Sequence, residues 1–281
     1  MTYLGGIGGG MLANFLWGVS PLYYGKLGAI NPVVLLCTQV ILTFLVLSCA
    51  QGFRVADMSI KNLVRFAPTS ILIGMNWAAY VAAVMYGMPL QASVAYLMAP
   101  MLTLILGSFL FSEPMSKQQK IGVAVSTAAV LLDVILTREV PYLGILIAIP
   151  FAGYIILHKK GGGKNPLKAL QSETLLLTPL AILVLLSYAP SAGGTPTGSN
   201  TPWLLGLIGF VNAVPLALFI YAAPRMSPSQ LSACQFIAPI TSAIVSSLAF
   251  DYEIGLPKLL VLTLLAVGMA FAIAPQRLPA T

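Results

Sequence analysis

Neutral hydrogen-bonding side chains set beside aromatic rings are the residues of this chain equipped to do chemistry. Asn76, Trp77 and Tyr80 fall at i, i+1 and i+4, on one face of a helix. Asn212 and Phe219 share a face seven residues apart. Asn14, Trp17, Gln39, Tyr96, Tyr154 and Gln235 stand in other long apolar runs. Such a set takes an amphipathic organic molecule through amide hydrogen bonds, stacking and cation–π contact. Each residue alone has a plainer role, since amides bond between helices in lipid and rings fill space. As a set they define a candidate substrate-binding group of Asn76, Trp77, Tyr80, Tyr96 and Gln235, with Trp17, Gln39, Asn212 and Phe219 beside it. Trp203, near an expected helix end, reads as an interface anchor.

Covalent catalysis has no constellation to work with. The single histidine, His158, falls at an expected helix end and reads as a solvated or capping residue. No Ser-His-Asp, paired-carboxylate or metal-ligand group assembles at one depth, so the expectation is a non-enzyme with no cofactor and no metal. Cys37, Cys49 and Cys234 lie in apolar runs without metal-ligand spacing and read as packing residues. Only Asp133 and Glu173 place a charge inside an expected span, each within one or two turns of an end. Asp133 is expected at the outer interface, and Glu173 at the inner one with Lys168 as partner. Structural roles are the first expectation for both, and proton coupling through them is the alternative.

The elements that position these residues are membrane helices. Of the 281 residues, 58% are hydrophobic and 7% charged, with a mean hydropathy of +0.94, which a soluble domain of this length does not reach. Breaks at charged, Pro-rich and Gly-rich points give ten spans: 4–24, 31–50, 65–86, 90–111, 118–136, 142–157, 168–188, 203–224, 229–250 and 257–275. Helices satisfy their own backbone in lipid, and the alternation of a membrane barrel is absent. The start, Met1 to Tyr24, lacks a basic leader segment and a small-residue cleavage site, so it reads as a retained first helix. Gly161-Gly-Gly-Lys164 follows a helix rather than a strand and reads as a hinge, not a phosphate loop. The polar stretch from Tyr188 to Pro202 reads as an irregular outer loop.

The net charge of +7 is explained by topology rather than by a nucleic-acid partner. With a cytoplasmic N-terminus, the inner segments hold Arg54, Lys61, Arg65, Lys117, Lys120, Lys159, Lys160, Lys164, Lys168, Arg225 and Arg277, and the outer ones only Lys26, Arg138 and Lys258. Both termini are therefore expected in the cytoplasm. A shift of 139 residues sets Pro89 over Pro228, Gln91 over Gln230, Ser93 over Ser232, Ala99 over Ala238, Pro100 over Pro239 and Phe111 over Phe250. An odd number of helices per half inverts the second copy, giving an all-α membrane protein of ten helices as a five-plus-five inverted repeat, residues 1–139 and 140–281. Tyr80 then pairs with Phe219, and Tyr96 with Gln235, across a pseudo-twofold axis. Pro100, Pro150, Pro215 and Pro239 lie within spans, where each permits a kink.

The chain resembles the EamA-type drug/metabolite transporters, and within them the RarD-like branch. The resemblance is carried by Trp17-Gly18-x-x-Pro21, Asn76-Trp77-x-x-Tyr80, Ser93-x-x-Tyr96-x-x-x-Pro100, Phe111-x-Glu113-Pro114-x-Ser116, Gln119, Pro215-Leu-x-Leu-Phe219 and Gln235-Phe-x-x-Pro239. It implies ten helices, an inverted repeat, a central substrate cavity and a permease of the kind associated with chloramphenicol sensitivity. Where that branch carries an acidic residue and an Arg in the second helix, this chain has Val34 and Thr38-Gln39. The expectation is an inner-membrane carrier of a small amphipathic molecule working by alternating access, with lipid and substrate as its partners. A monomer suffices for one cavity and a dimer stays open. A channel, a scaffold or a proton-coupled exporter are the competing readings.

Overall fold

The computed structural model describes residues 2–28, 30–52, 59–111, 115–138, 140–161, 166–188, 201–222, 225–226, 234–249 and 255–273. Ten helices run through them: α1 (Thr2–Gly25), α2 (Pro32–Ala50), α3 (Ile60–Met85), α4 (Pro89–Phe111), α5 (Lys117–Thr137), α6 (Tyr142–Gly161), α7 (Pro166–Tyr188), α8 (Thr201–Ala222), α9 (Ile237–Ala249) and α10 (Leu256–Ile273). No strand occurs among the described residues. The second Pro-x-Gln turn with Pro228, Gln230 and Ser232 lies outside them. So do Glu113-Pro114, Phe250, the body of the stretch after Tyr188, the segment after Gly161 and the inner cations Arg54, Lys164 and Arg277.

Local chemistry sets the helix starts. Asn31 caps α2, its side chain accepting from the Val33 N–H, with Pro32 in the first turn where a missing N–H costs nothing. Ser116 and Gln119 bond each other's backbone across the first turn of α5, a reciprocal capping box. Capped by Ser59, α3 begins at Ile60, five residues before the span expected from 65, because Lys61, Arg65 and Pro68 look like a break in sequence yet sit on exposed helix. Between α3 and α4 the chain turns through Gly87 at φ +74, a conformation open to glycine without strain.

By length and composition α2, α3, α5, α7 and α8 each hold a stretch able to cross a membrane, and α4, α6, α9 and α10 hold shorter apolar ones. Their outward faces are apolar, with Phe109 and Leu248 each 80% exposed, as contact with lipid requires. Inside, α1 packs on α8 and α9 while α6 packs on α3 and α4; α2 lies against α7 and α8 while α7 lies against α2 and α3. α4 meets α9, and α5 meets α10. Exchanging each helix for the one five places on leaves this pattern of packing in place.

Bonds between helices join ends in the register that an up-and-down chain requires. The Tyr23 hydroxyl at the end of α1 donates to the Leu204 carbonyl at the start of α8. At the end of α2, Gln51 Nε2 donates to the Leu167 carbonyl at 3.4 Å, and Ser48 accepts from Gln171 of α7 at 3.1 Å. The main core runs through α2 to α8 and α10, and several of its buried residues, among them Trp77, Phe151 and Leu216, also form walls of the central cavity.

Candidate functional site

Six helices converge on that cavity. α1 contributes Trp17, Ser20 and Tyr24, α2 Gln39, α3 Ile73, Asn76, Trp77 and Tyr80, α4 Tyr96, α6 Phe151, and α8 Val211, Asn212 and Leu216. A second hollow lies next to it, bounded by Asn14, Trp17, Tyr96, Pro100, Phe151, Gln235 and Ala238. Trp17, Tyr96 and Phe151 border both, so the three rings form the wall between them. The first encloses about 30 Å³ and the second about 10 Å³. A water needs roughly 10–15 Å³ on such a measure, so the interior holds space for a few waters at most.

The cavity's polar groups are held by one another and by backbone. Tyr24 donates its hydroxyl to Gln39 Oε1 at 2.6 Å, and the Ser20 and Tyr80 hydroxyls bond at 2.6 Å. Asn212 Nδ2 donates to Thr43 Oγ1 at 3.1 Å. Asn76 Nδ2 donates to the Ile147 carbonyl of α6 at 2.9 Å, three residues before Pro150. Asn14 turns its amide onto its own helix, donating to the Gly10 carbonyl at 2.8 Å. The rings form a continuous ladder: Tyr24 to Tyr80 at 5.7 Å, Tyr80 to Tyr96 at 5.9 Å and Tyr96 to Phe151 at 6.0 Å between centroids. Edge and tilted contacts of this kind hold ring orientation as well as burying area.

Among the sequence candidates, Trp17, Gln39, Asn76, Trp77, Tyr80, Tyr96 and Asn212 come together on the first cavity. Gln235 reaches only the second, facing Tyr96 across it. Phe219 lines neither; it packs against Trp17 at 5.4 Å between centroids and supports that ring from behind. Ser20, Tyr24 and Phe151 belong to the walls and are absent from the sequence-derived set. Their signal was helical period: Trp17, Ser20 and Tyr24 stand at i, i+3 and i+7, as do Phe151, Tyr154 and His158.

Two expectations are corrected. Glu173 is fully buried, and its carboxylate accepts from the Tyr154 hydroxyl at 3.0 Å and lies 2.7 Å from His158 Nε2, rather than pairing with Lys168. Five residues of helix set Lys168 about 140° round α7 from Glu173, whereas α6 supplies partners on the facing side. His158 is accordingly a partner of a buried acid, not a solvated cap. Asp133 is held by Lys258 of α10 at 2.8 and 2.9 Å, at the end of α5 and the start of α10, remote from the cavity residues in sequence and in packing. Cys37 and Cys234 are buried, Cys49 is exposed, and all three are free thiols.

Among the described lining residues of both hollows, none is an acid, lysine, arginine or histidine. What the arrangement offers is aromatic faces, hydroxyls and amides. No group of three His, Cys, Asp or Glu side chains converges among the described residues.

Comparison with known proteins bears on this geometry. The EamA-like transporter family matches residues 4–135. The uncharacterized transporter YojE of Bacillus subtilis is 28% identical over 243 residues, covering 82% of this chain and 80% of that protein. A solved crystal structure superposes with a TM-score of 0.68 over 96% of this chain and 98% of its own, at 17% identity, a likeness of fold alone. The apolar helices and these matches support a multi-pass membrane transporter, with residues 4–135 similar to the EamA-like transporter family. The chain is also similar to the protein RarD of Escherichia coli, 26% identical over 271 residues and covering 92% of this chain and 90% of that one.

Proposed function

We propose that this protein is an inner-membrane carrier that moves a small amphipathic organic molecule, such as an amino-acid-like metabolite or a drug, by alternating access. The observation that carries the reading is the central cavity, built by helices of both halves and lined by rings, hydroxyls and amides without a charged side chain among its described residues. A free anion entering it meets no cation, while a neutral or cationic molecule meets π faces and hydrogen-bonding groups on several sides. Trp17, Gln39, Asn76, Trp77, Tyr80, Tyr96 and Asn212 serve as its first contacts, Gln235 as a contact across the ring wall, and Phe219 as the support of Trp17.

The cavity's size supports a carrier over an open channel. Organic ligands occupy pockets of roughly 300–1,000 Å³, against about 30 Å³ here. Substrate entry therefore requires the walls to part. Pro21, Pro68, Pro100, Pro150, Pro179 and Pro215 lie inside the helices and permit bending there. The packing pattern that survives exchange of helices five places apart supports two halves, 1–139 and 140–281, related as an inverted repeat. In this scheme the charge distribution assigns both termini to the cytoplasm.

The test is a thermal-shift screen of the detergent-purified protein against amino acids, polyamines, quaternary amines, nucleosides and chloramphenicol, since a ligand of the folded state raises apparent stability. A selective hit is expected to lose at least about tenfold in affinity, roughly 1.4 kcal/mol, in Tyr80→Ala and again in Gln235→Ala. Both variants should melt cooperatively without ligand. Full retention of binding by the two variants would remove this site.

A further inference from the structure

Asn31-Pro32 opens α2, and the sequence repeats Asn-Pro at 165 and 166, 134 residues later, with Pro166 the first residue of α7. The same interval sets Trp17 over Phe151, Tyr24 over His158, Thr38 over Ser172 and Gln39 over Glu173. Two of these correspondences meet in space within each half. Tyr24 bonds Gln39 at 2.6 Å between α1 and α2, and His158 bonds Glu173 at 2.7 Å between α6 and α7. One joint has been built twice, with neutral groups in the first half and with two titratable groups in the second.

Burial makes that difference consequential. The Glu173 side chain is 0% exposed and that of His158 is 26% exposed, so the acid sits behind the imidazole that meets the surroundings. The Tyr154 hydroxyl takes the second carboxylate oxygen, and Ser70 of α3 is spent on the Glu173 backbone carbonyl at 2.8 Å. Among the described residues, the other packed elements bring no bonded counter-charge to the carboxylate. The cations of α3, Lys61 and Arg65, are exposed near its start; α2 has only Cys37 and Cys49 as titratable groups, and α8 only Tyr221. Lys168 of α7 itself points elsewhere around the helix, and the Glu173 carboxylate bonds none of these groups. With His158 protonated, imidazolium and carboxylate cancel. With the proton gone, a buried carboxylate is left, among the described residues, with neutral donors alone, a costly state in an apolar interior. One proton therefore decides whether α6 is held to α7 by an ion pair, a choice that Tyr24 and Gln39 do not have.

This joint is continuous with the cavity. Phe151, a cavity wall, stacks on Tyr154 at 6.5 Å with the ring planes 11° apart, and Tyr154 lies 4.4 Å from the His158 ring. We propose that His158 and Glu173 form a proton-binding site loaded through the exposed edge of His158, and that the Phe151–Tyr154 stack couples its loading to the state of the central cavity. A proton leaves water for the imidazole and returns to water when the joint opens; no other bond is made or broken. The proposal rests on the carrier reading for its purpose, while the proton site itself is measurable without a substrate.

His158 is the single histidine, so histidine isotope labelling of the full-length purified protein gives one imidazole signal. Of the three tryptophans, Trp203 is 82% exposed and away from the site; Trp203→Phe leaves the cavity residues Trp17 and Trp77 as the emitters. In a pH titration, the imidazole shift and the tryptophan emission are expected to move with a common midpoint. In Glu173→Gln and in His158→Gln, each still folded by its melting curve, the emission should cease to follow pH. Emission that stays flat through the wild-type imidazole titration, or that responds to pH unchanged in both variants, overturns the proton site. If a ligand still binds the cavity in that case, the carrier reading stands alone. A pH response intact in a protein whose ligand binding ignores Tyr80 and Gln235 retains the proton site and removes the cavity assignment instead.

Discussion

Asp133 and Lys258 show what an ionic pair does in this interior when it is not joined to the cavity. The Asp133 side chain is 5% exposed and the Lys258 side chain 19%, and both carboxylate oxygens accept from the one ammonium. Removing a single partner strands the other charge, a loss of about 3–5 kcal/mol for buried pairs, while replacing both by apolar residues of similar size is often neutral. Asp133→Asn and Lys258→Met are therefore expected to lower the melting temperature sharply in detergent, and Asp133→Leu with Lys258→Met to restore most of it. Single variants that melt with the wild type would show that the pair contributes nothing. At this scale the sequence marked the charged and polar residues that matter but not their partners. Asp133 and Lys258 lie 125 positions apart, and Glu173 had a nearer cation in Lys168 than the histidine it bonds. Partnership is decided by which helix faces which, and no local pattern in one helix records that.

Helices were the more legible level. Ten apolar runs became ten helices in the described residues, and the Asn31-Pro32 and Ser116 starts follow from capping chemistry written in adjacent residues, whereas the Ser59 start was hidden behind Lys61, Arg65 and Pro68. The cavity set was legible in part, because residues on one helix face, such as Asn76, Trp77 and Tyr80, stay together whatever the packing. Tyr24 and Phe151 escaped notice because an aromatic near a span end or beside Pro150 reads equally well as an anchor or filler. Close approach between helices was likewise invisible until α1 was set against α9. A Cβ on Gly18 would stand 2.5 Å from Thr241 Cβ and 2.9 Å from the Ala238 carbonyl oxygen, so the glycine is what lets these helices touch. Gly18→Val should destabilise by about 1–3 kcal/mol, as overpacking does. Gly8→Ala, where a Cβ meets nothing within 4 Å, should leave thermal stability unchanged. Equal melting of Gly18→Val and wild type would mean that α1 and α9 are free to separate.

For the molecule as a whole, the proposed inverted arrangement makes a claim that no single contact does: equivalent helices of the two halves must begin on opposite sides of the membrane. Lys61 and Trp203 are exposed near the starts of α3 and α8, which are five places apart in the helix order. Even spacing would put them on one side, and five puts them on opposite sides. Replacing exposed Cys49 by Ser leaves only the buried thiols Cys37 and Cys234, a quiet background for single cysteines. In that background a membrane-impermeant maleimide added to intact cells should label Trp203→Cys and spare Lys61→Cys, and inside-out vesicles should reverse the result. The direction of this asymmetry tests the cytoplasmic N-terminus read from the basic residues, and its existence tests the inversion. Labelling of both from one side would break the proposed symmetry relation itself, and with it the correspondence drawn between the Tyr24–Gln39 and His158–Glu173 joints.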